Sequence, residues 1–274
     1  YGFPESHAAS FALLVYVSSW LKRHRPAAFA AALINSQPMG FYAPAQIIRD
    51  AKEHGVEVRP VDVNASGWDC TLEDGRDGAS PAIRLGMRLI SGMARADAEA
   101  IASSVQRDGP VRDLVSLQRR SGVGAGAIRR LARADAFGSL GISRQRAIWE
   151  ARVLRDAEMP LFDRVEEAVE PRPCLAPLTE HDEVTRDYRS VGLTLRTHPI
   201  GFVREALVAR GVRPTRDLSD AGMTPAGARI AVAGLVLMRQ RPSTASGIVF
   251  ITIEDETGIA NLIVRPDVYE RYRR

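Results

Sequence analysis

Cysteine is nearly missing from this 274-residue chain, and the two that occur, Cys70 and Cys174, stand far apart and outside any CxxC or Cys/His spacing. That excludes a disulfide framework and a zinc-ribbon pattern, and it reads both as free thiols in a reducing compartment. The five histidines never form an HxH or HExxH pair, so no metal site is visible. Carboxylates are not grouped for two-metal chemistry either, which calls for an Asp-x-Asp strand with a third partner. The clusters present, Asp182-Glu183 and Glu254-Asp255-Glu256, read as a linker and a hairpin turn. There is no P-loop, no dinucleotide fingerprint and no Asp placed to complete a triad around Ser6-His7. No catalytic residue is therefore assigned in this chain.

Long apolar runs are missing too. The stretch from Ala8 to Val17 is the nearest to one, but Ser10 and Ser18-Ser19 interrupt it, and it is too short to span a bilayer. Its basic residues Lys22, Arg23 and Arg25 follow it, the reverse of a signal peptide. A cytoplasmic protein without a membrane partner is expected. The chain begins on Tyr1 inside a helical pattern, so it reads as a piece excised from something longer.

What is present is an ordinary globular composition with an unusual charge layout. Hydrophobic residues make up 45% and charged residues 26% of a chain long enough for two or three domains. Lysine is almost absent, with only Lys22 and Lys52 among 37 basic residues. Net charge is −1 over residues 1–118, +7 over 119–155, −7 over 156–187 and +5 over 188–274. Clustering of this kind is how a nucleic-acid footprint looks.

Patterning predicts a mainly helical α+β chain. Near-continuous apolar positions over 7–22 predict a helix buried on most sides. Pro26 and an Ala-rich run predict a helix over 26–35, and PAQIIRDAKEHG another over 44–55. Alternation over Val56–Val63 predicts a short strand, which Pro60 confines to an edge or a connector. Residues 64–80 read as turn-rich loop. Helices are expected over part of 83–105, near 111–120 and over 143–155. Residues 156–187, with Pro160, Pro171, Pro173 and Pro177, read as a linker. A helical patch is expected near 200–210. Three strands follow from Arg229 on, with Thr257-Gly258 turning the second into the third.

Three constellations could touch nucleic acid. In SGVGAG, Gly122, Gly124 and Gly126 lead into a helix carrying Arg129, Arg130 and Arg133. Small residues let backbone N–H groups at a helix start approach a phosphate, and arginines add a salt-sensitive attraction. The alternative is a plain glycine turn between packed helices. ISGMARADAEAI repeats the layout weakly, with Gly92-Met93-Ala94 lacking the second glycine. The C-terminal strands suggest part of a small barrel, with Arg239, Arg241 and Phe250 as contacts for a single strand. The alternative there is a strand trio serving packing alone. Ser6 and His7, at a helix start, could donate to a phosphate, the alternative being a capping serine and a satisfied histidine.

The strings themselves carry a resemblance. GFPESHAASFALLVYVSSWLKRHRPAAFAAALINSQPMGFY, residues 2–42, resembles the end of the fingers region of bacterial C-family DNA polymerases. Its PESHAASFALLVY and NSQPMGFY wording is similar to the error-prone, damage-inducible branch. VEVRPVDVN, IRLGMRLISGM, SGVGAGAIRRLARADAFGSLG and DYRSVGLTLRTHPIGF follow in the family's order. The resemblance implies four parts: the end of the fingers over 1–80, a helix-hairpin-helix domain over 81–155, an acidic linker with short helices over 156–228, and the first strands of an oligonucleotide-binding (OB-like) domain over 229–274. It implies an error-prone DNA-directed polymerase acting in damage-induced mutagenesis and translesion synthesis. Ser6 and His7 would contact the incoming nucleotide, and catalytic aspartates and their Mg2+ would lie upstream of Tyr1. Primer-template DNA, deoxynucleoside triphosphates, the sliding clamp and mutagenesis-cassette proteins would be the partners. The replicative polymerase III alpha subunit and a non-catalytic helix-hairpin-helix module of a repair protein are the alternatives.

Overall fold

Twenty residues from Glu5 to His24 form the first helix, α1, and not one of them is buried in the computed structural model of the chain. The structure describes residues 4–40, 42–76, 78, 80–156 and 175–273. Most of the acidic linker, residues 157–174 with Cys174, lies outside the described residues. The exposure of α1 corrects the expectation of burial on most sides. Leu13 is 66% and Tyr16 70% exposed; α2 packs against α1, and Lys22 near its end pairs with Asp50 at 2.8 Å.

Two compact units are present: Tyr1–Thr179 with Thr185–Leu195, and Glu180–Val184 with Arg196–Arg274. In the first, α2 (Pro26–Asn35) starts on its proline as expected and buries Ala27, Ala30, Ala31 and Ile34. α3 (Pro44–Glu53) turns Ile47, Ile48 and Ala51 inward. The predicted strand shrinks to β1 (Val58–Arg59), since Pro60 cannot continue the ladder. β1 lies at the edge of a three-stranded sheet, parallel to β3 (Ala82–Arg84). The central β3 also pairs antiparallel with β2 (Thr71–Glu73). β2 falls in a segment expected to be loop. A distant residue holds it: the Asn35 amide donates to the Cys70 carbonyl at 2.8 Å and accepts from the Cys70 N–H at 2.8 Å.

α4 (Arg95–Asp108), α5 (Leu114–Ser121), α6 (Ala125–Arg133) and α7 (Arg144–Val153) complete the helical part of this unit. One core joins the small sheet to these helices through Ile34, Ile83, Met87, Ile101, Leu131 and Phe137. The stretch after β1 is wired into the hairpin region as well. Val63 N–H donates to the Ala136 carbonyl at 2.8 Å, and Asn64 exchanges hydrogen bonds with the Val111 backbone at 2.8 and 3.2 Å. α8 (Glu180–Ser190) lies where linker was expected; its first turn counts with the second unit and the rest with the first.

The second unit contains α9 (Arg204–Ala209), the short parallel pair β4 (Val212–Arg213) and β5 (Ala231–Val232), and an antiparallel sheet. That sheet runs β6 (Leu235–Gln240), β7 (Val249–Glu254), β8 (Ile259–Val264), with the turn at Thr257-Gly258 where it was predicted. α10 (Pro266–Tyr272) follows. The fold is α+β and mainly helical; its strands lie in separate small sheets and close no barrel among the described residues. Asp255, fully buried, organises the turn. It accepts from Thr215 N–H and Oγ1 at 2.8 and 2.7 Å, from Thr257 N–H and Oγ1 at 2.8 and 2.7 Å, and from Arg204 at 2.8 Å.

Candidate nucleic-acid interface

The SGVGAG stretch folds as a tight connection between α5 and α6. Gly122 ends α5 in the left-handed region at φ +70°, where a Cβ would be strained, and its N–H donates to the Gln118 carbonyl at 2.8 Å. Val123 is buried and anchors the turn. Gly124 then starts α6 with extended backbone and no side-chain cap. α6 buries Ala125, Ala127, Ile128, Leu131 and Ala132, so its core face is fixed. A helix start carries backbone donors and the positive end of the helix dipole, and here one of those donors, Ala125 N–H, is taken by Asp156 Oδ1.

The three arginines of α6 have different surroundings. Arg129 donates to the carbonyls of Ala151 and Leu154 at 3.1 and 2.9 Å, so it caps the end of α7. Arg130 lies against the Gly92 turn and beside Gly126, one turn earlier on its own helix. Its Nε is 3.2 Å from where a Cβ on Gly92 would stand, and its Nη1 is 3.5 Å from the same point on Gly126. Gly92, at φ +74°, thus gives Arg130 room. Arg133 is exposed and, like Arg119 before the turn, makes no hydrogen bond or ion pair among the described residues. Arg120 is spent on protein acceptors, donating to the carbonyls of Ser104, Gly109 and Pro110 at the end of α4. Much of the positive block therefore serves the fold.

Other predicted residues are placed apart from the turn. Ser6 and His7 sit in the first turn of α1, exposed, with Pro4 rather than Ser6 at the cap position. The His7 ring packs on Phe11 with centroids 4.4 Å apart. In the sheet of the second unit, Arg239 pairs with Ile251 while Phe250 pairs with Gln240, so the arginine and the phenylalanine point to opposite faces. Arg239 and Arg241 come together over one ring that sequence reading did not single out, that of Tyr269 on α10. Their guanidinium carbons lie 5.4 and 5.3 Å from its centroid, and Arg239 donates to the Tyr269 hydroxyl at 2.5 Å. A second residue was also missed: Ala125 N–H donates to Asp156 Oδ1 at 2.5 Å, right at the start of α6. No local pattern marks a partner 31 residues away.

Among the described residues no group of three or more His, Cys, Asp or Glu could hold a metal ion. No helix among them is long and apolar enough to cross a membrane. The Cys70 side chain is buried, and burial pushes its thiol up, which disfavours the thiolate.

Arg130 thus joins the Gly92 turn to α6, within a core that the helices of this unit share. A family profile described as "Helix-hairpin-helix motif" matches residues 55–147, which takes in β1 and everything wired to it up to α7. Along its whole length the chain is similar to error-prone DNA polymerases. It is 50% identical to "Error-prone DNA polymerase 2" of Rhizobium meliloti (strain 1021), covering all of this chain and 26% of that protein. Identity is 49% to "Error-prone DNA polymerase 1" of Agrobacterium fabrum and 50% to "Error-prone DNA polymerase" of Brucella abortus biovar 1, with 26% and 25% of those proteins covered. The chain thus spans about a quarter of the length of the curated relatives it matches.

Proposed function

We propose that this chain is the nucleic-acid-gripping segment of an error-prone DNA-directed DNA polymerase. End-to-end identity of about one half with proteins of that name is the observation that carries the reading. The hairpin is the grip on duplex. Gly122, Gly124 and Gly126 allow a phosphate close to the start of α6, while Arg130 and Arg133 supply positive charge without reading bases. Arg129 acts as a positioning residue that fixes α6 against α7. Ser6 and His7, at the start of α1, face the phosphates of an incoming deoxynucleoside triphosphate. Arg239 and Arg241, assembled with Tyr269, offer a cationic and aromatic surface to a single strand, and Phe250 serves the other face of that sheet.

Among the described residues no carboxylate group fits the Mg2+ that polymerisation uses; the metal-holding aspartates are assigned to the rest of the longer protein, and no chemical step is assigned here. In the longer protein the work is damage-induced mutagenesis and translesion synthesis, alongside a sliding clamp and mutagenesis-cassette proteins. The exposed Arg119 and Arg133, without a hydrogen bond or ion pair among the described residues, support duplex binding by this chain itself. Fluorescence anisotropy with a labelled duplex tests it. Binding should fall steeply with salt, and Arg130→Glu with Arg133→Glu should weaken it at least tenfold. Salt-independent binding that ignores both substitutions would sink the proposal.

A further inference from the structure

The anion position of the hairpin already holds an anion. Asp156 Oδ1 accepts from Ala125 N–H at 2.5 Å and lies 3.1 Å from where a Cβ on Gly124 would stand. Glycine at 124 therefore leaves space for one oxygen atom at the helix start. A carboxylate oxygen there has the charge, the acceptor geometry and the dipole attraction that a phosphate oxygen would have. The chain leaving α7 is brought to this point by contacts that do not involve Asp156. Arg129 holds the carbonyls of Ala151 and Leu154, and the Gln118 amide donates to the Arg155 carbonyl at 2.8 Å. The backbone is pinned across the mouth of the hairpin, and the next side chain reaches into it.

We infer that Asp156 is an internal competitor for the backbone phosphate of DNA, seated at the start of α6 in the free protein and displaced when duplex binds. The inference rests on the hairpin reading above and adds a regulator to that site. One N–H cannot serve an ionised carboxylate and a phosphate at once, and two anions at contact distance repel. Apparent duplex affinity is then the intrinsic affinity multiplied by the fraction of molecules in which Asp156 has left the site.

The test compares duplex binding by anisotropy, at fixed salt, for the wild-type chain and for Asp156→Asn, Asp156→Ala, Glu150→Gln and Arg133→Glu. Asp156→Asn keeps an acceptor oxygen and loses the charge, so it guards against a folding defect in Asp156→Ala. Both should bind about three- to tenfold more tightly, in keeping with the weight of a charge at a helix start. Glu150→Gln removes an equal charge from α7, away from Ala125, and should change binding less than about twofold. Equal tightening by Glu150→Gln would reduce the effect to net charge and overturn the inference. Unchanged or weaker binding by the Asp156 variants would make the carboxylate a plain helix cap and overturn it too. If Arg133→Glu leaves binding intact, the hairpin reading itself fails. Loss with Arg133→Glu and no gain at Asp156 removes the inference alone.

Discussion

Arg144 and Asp187 form a buried ion pair that ties the first turn of α7 to α8. The arginine side chain is 1% exposed, Asp135 stands 3.6 Å from the same guanidinium, and Thr194 Oγ1 donates to the other Asp187 oxygen at 2.7 Å. A buried pair adds little over a well-packed apolar pair, but removing one partner takes away the charge and acceptors that the other was buried against. Asp187→Ala should cost about 3–5 kcal/mol, read as a shift of the urea midpoint. The double variant Arg144→Met with Asp187→Leu should recover most of that loss.

Acid should act on the second unit through Asp255. Burial alone would raise its carboxyl, but donors from Thr215 and Thr257, with Arg204 alongside, outweigh burial and hold it well below the usual carboxylate range. A depressed folded pKa gives stability that is full above the unfolded value, about 3.9, and is lost as pH falls below it. Urea midpoints measured from pH 7 to pH 3 should hold steady to about pH 5 and then drop. Asp255→Asn should start lower at pH 7 and show a shallower decline.

Arg129 and Arg133 should separate stability from binding. Arg129→Ala frees two carbonyls at the end of α7 and should cost about 1–3 kcal/mol in thermal or urea unfolding. Arg133→Ala, on an exposed arginine without a partner among the described residues, should leave the melting temperature unchanged while weakening duplex binding. Equal effects of the two substitutions on unfolding would contradict these placements.

At Gly122 the φ of +70° sets the cost of a side chain. Gly122→Ala should destabilise the chain by about 1 kcal/mol, and Gly122→Asn by less, because asparagine tolerates the left-handed region better. Circular dichroism melts of the two variants give the ordering.

The Cys70 thiol should be hidden. In a Cys174→Ser background, a thiol reagent at pH 8 should react within minutes only after urea is added. Rapid reaction of the folded protein would contradict the burial and the raised thiol pKa.

Local signals were legible where they alone decide. Pro26 followed by alanines marks α2 from end to end, and alternation with Thr257-Gly258 marks β7 and β8. β2 was not legible, because three residues paired with the distant β3, and Asn35 gripping the Cys70 backbone before them, fix that strand rather than any local pattern. α8 was hidden by acidic residues and neighbouring prolines, which mask a helix whose single buried residue is Val184. At the hairpin, glycine spacing marks a turn, but the partners of Arg129 and Ala125 lie 22 and 31 residues away. Sequence spacing along one helix cannot tell an arginine that caps its neighbour from one that faces water.

The bare α1 has a consequence for how the chain behaves in a test tube. A helix of 20 residues is a rod about 30 Å long, and here Phe11, Leu14, Tyr16 and Trp20 line it in contact with water. Exposed apolar surface on that scale drives association. Solutions of this chain should therefore scatter more light as they are concentrated, and a detergent below its micellar concentration should relieve the effect. The helix is in this sense the adhesive edge of the molecule: whichever surface covers it sets the solubility of everything that follows.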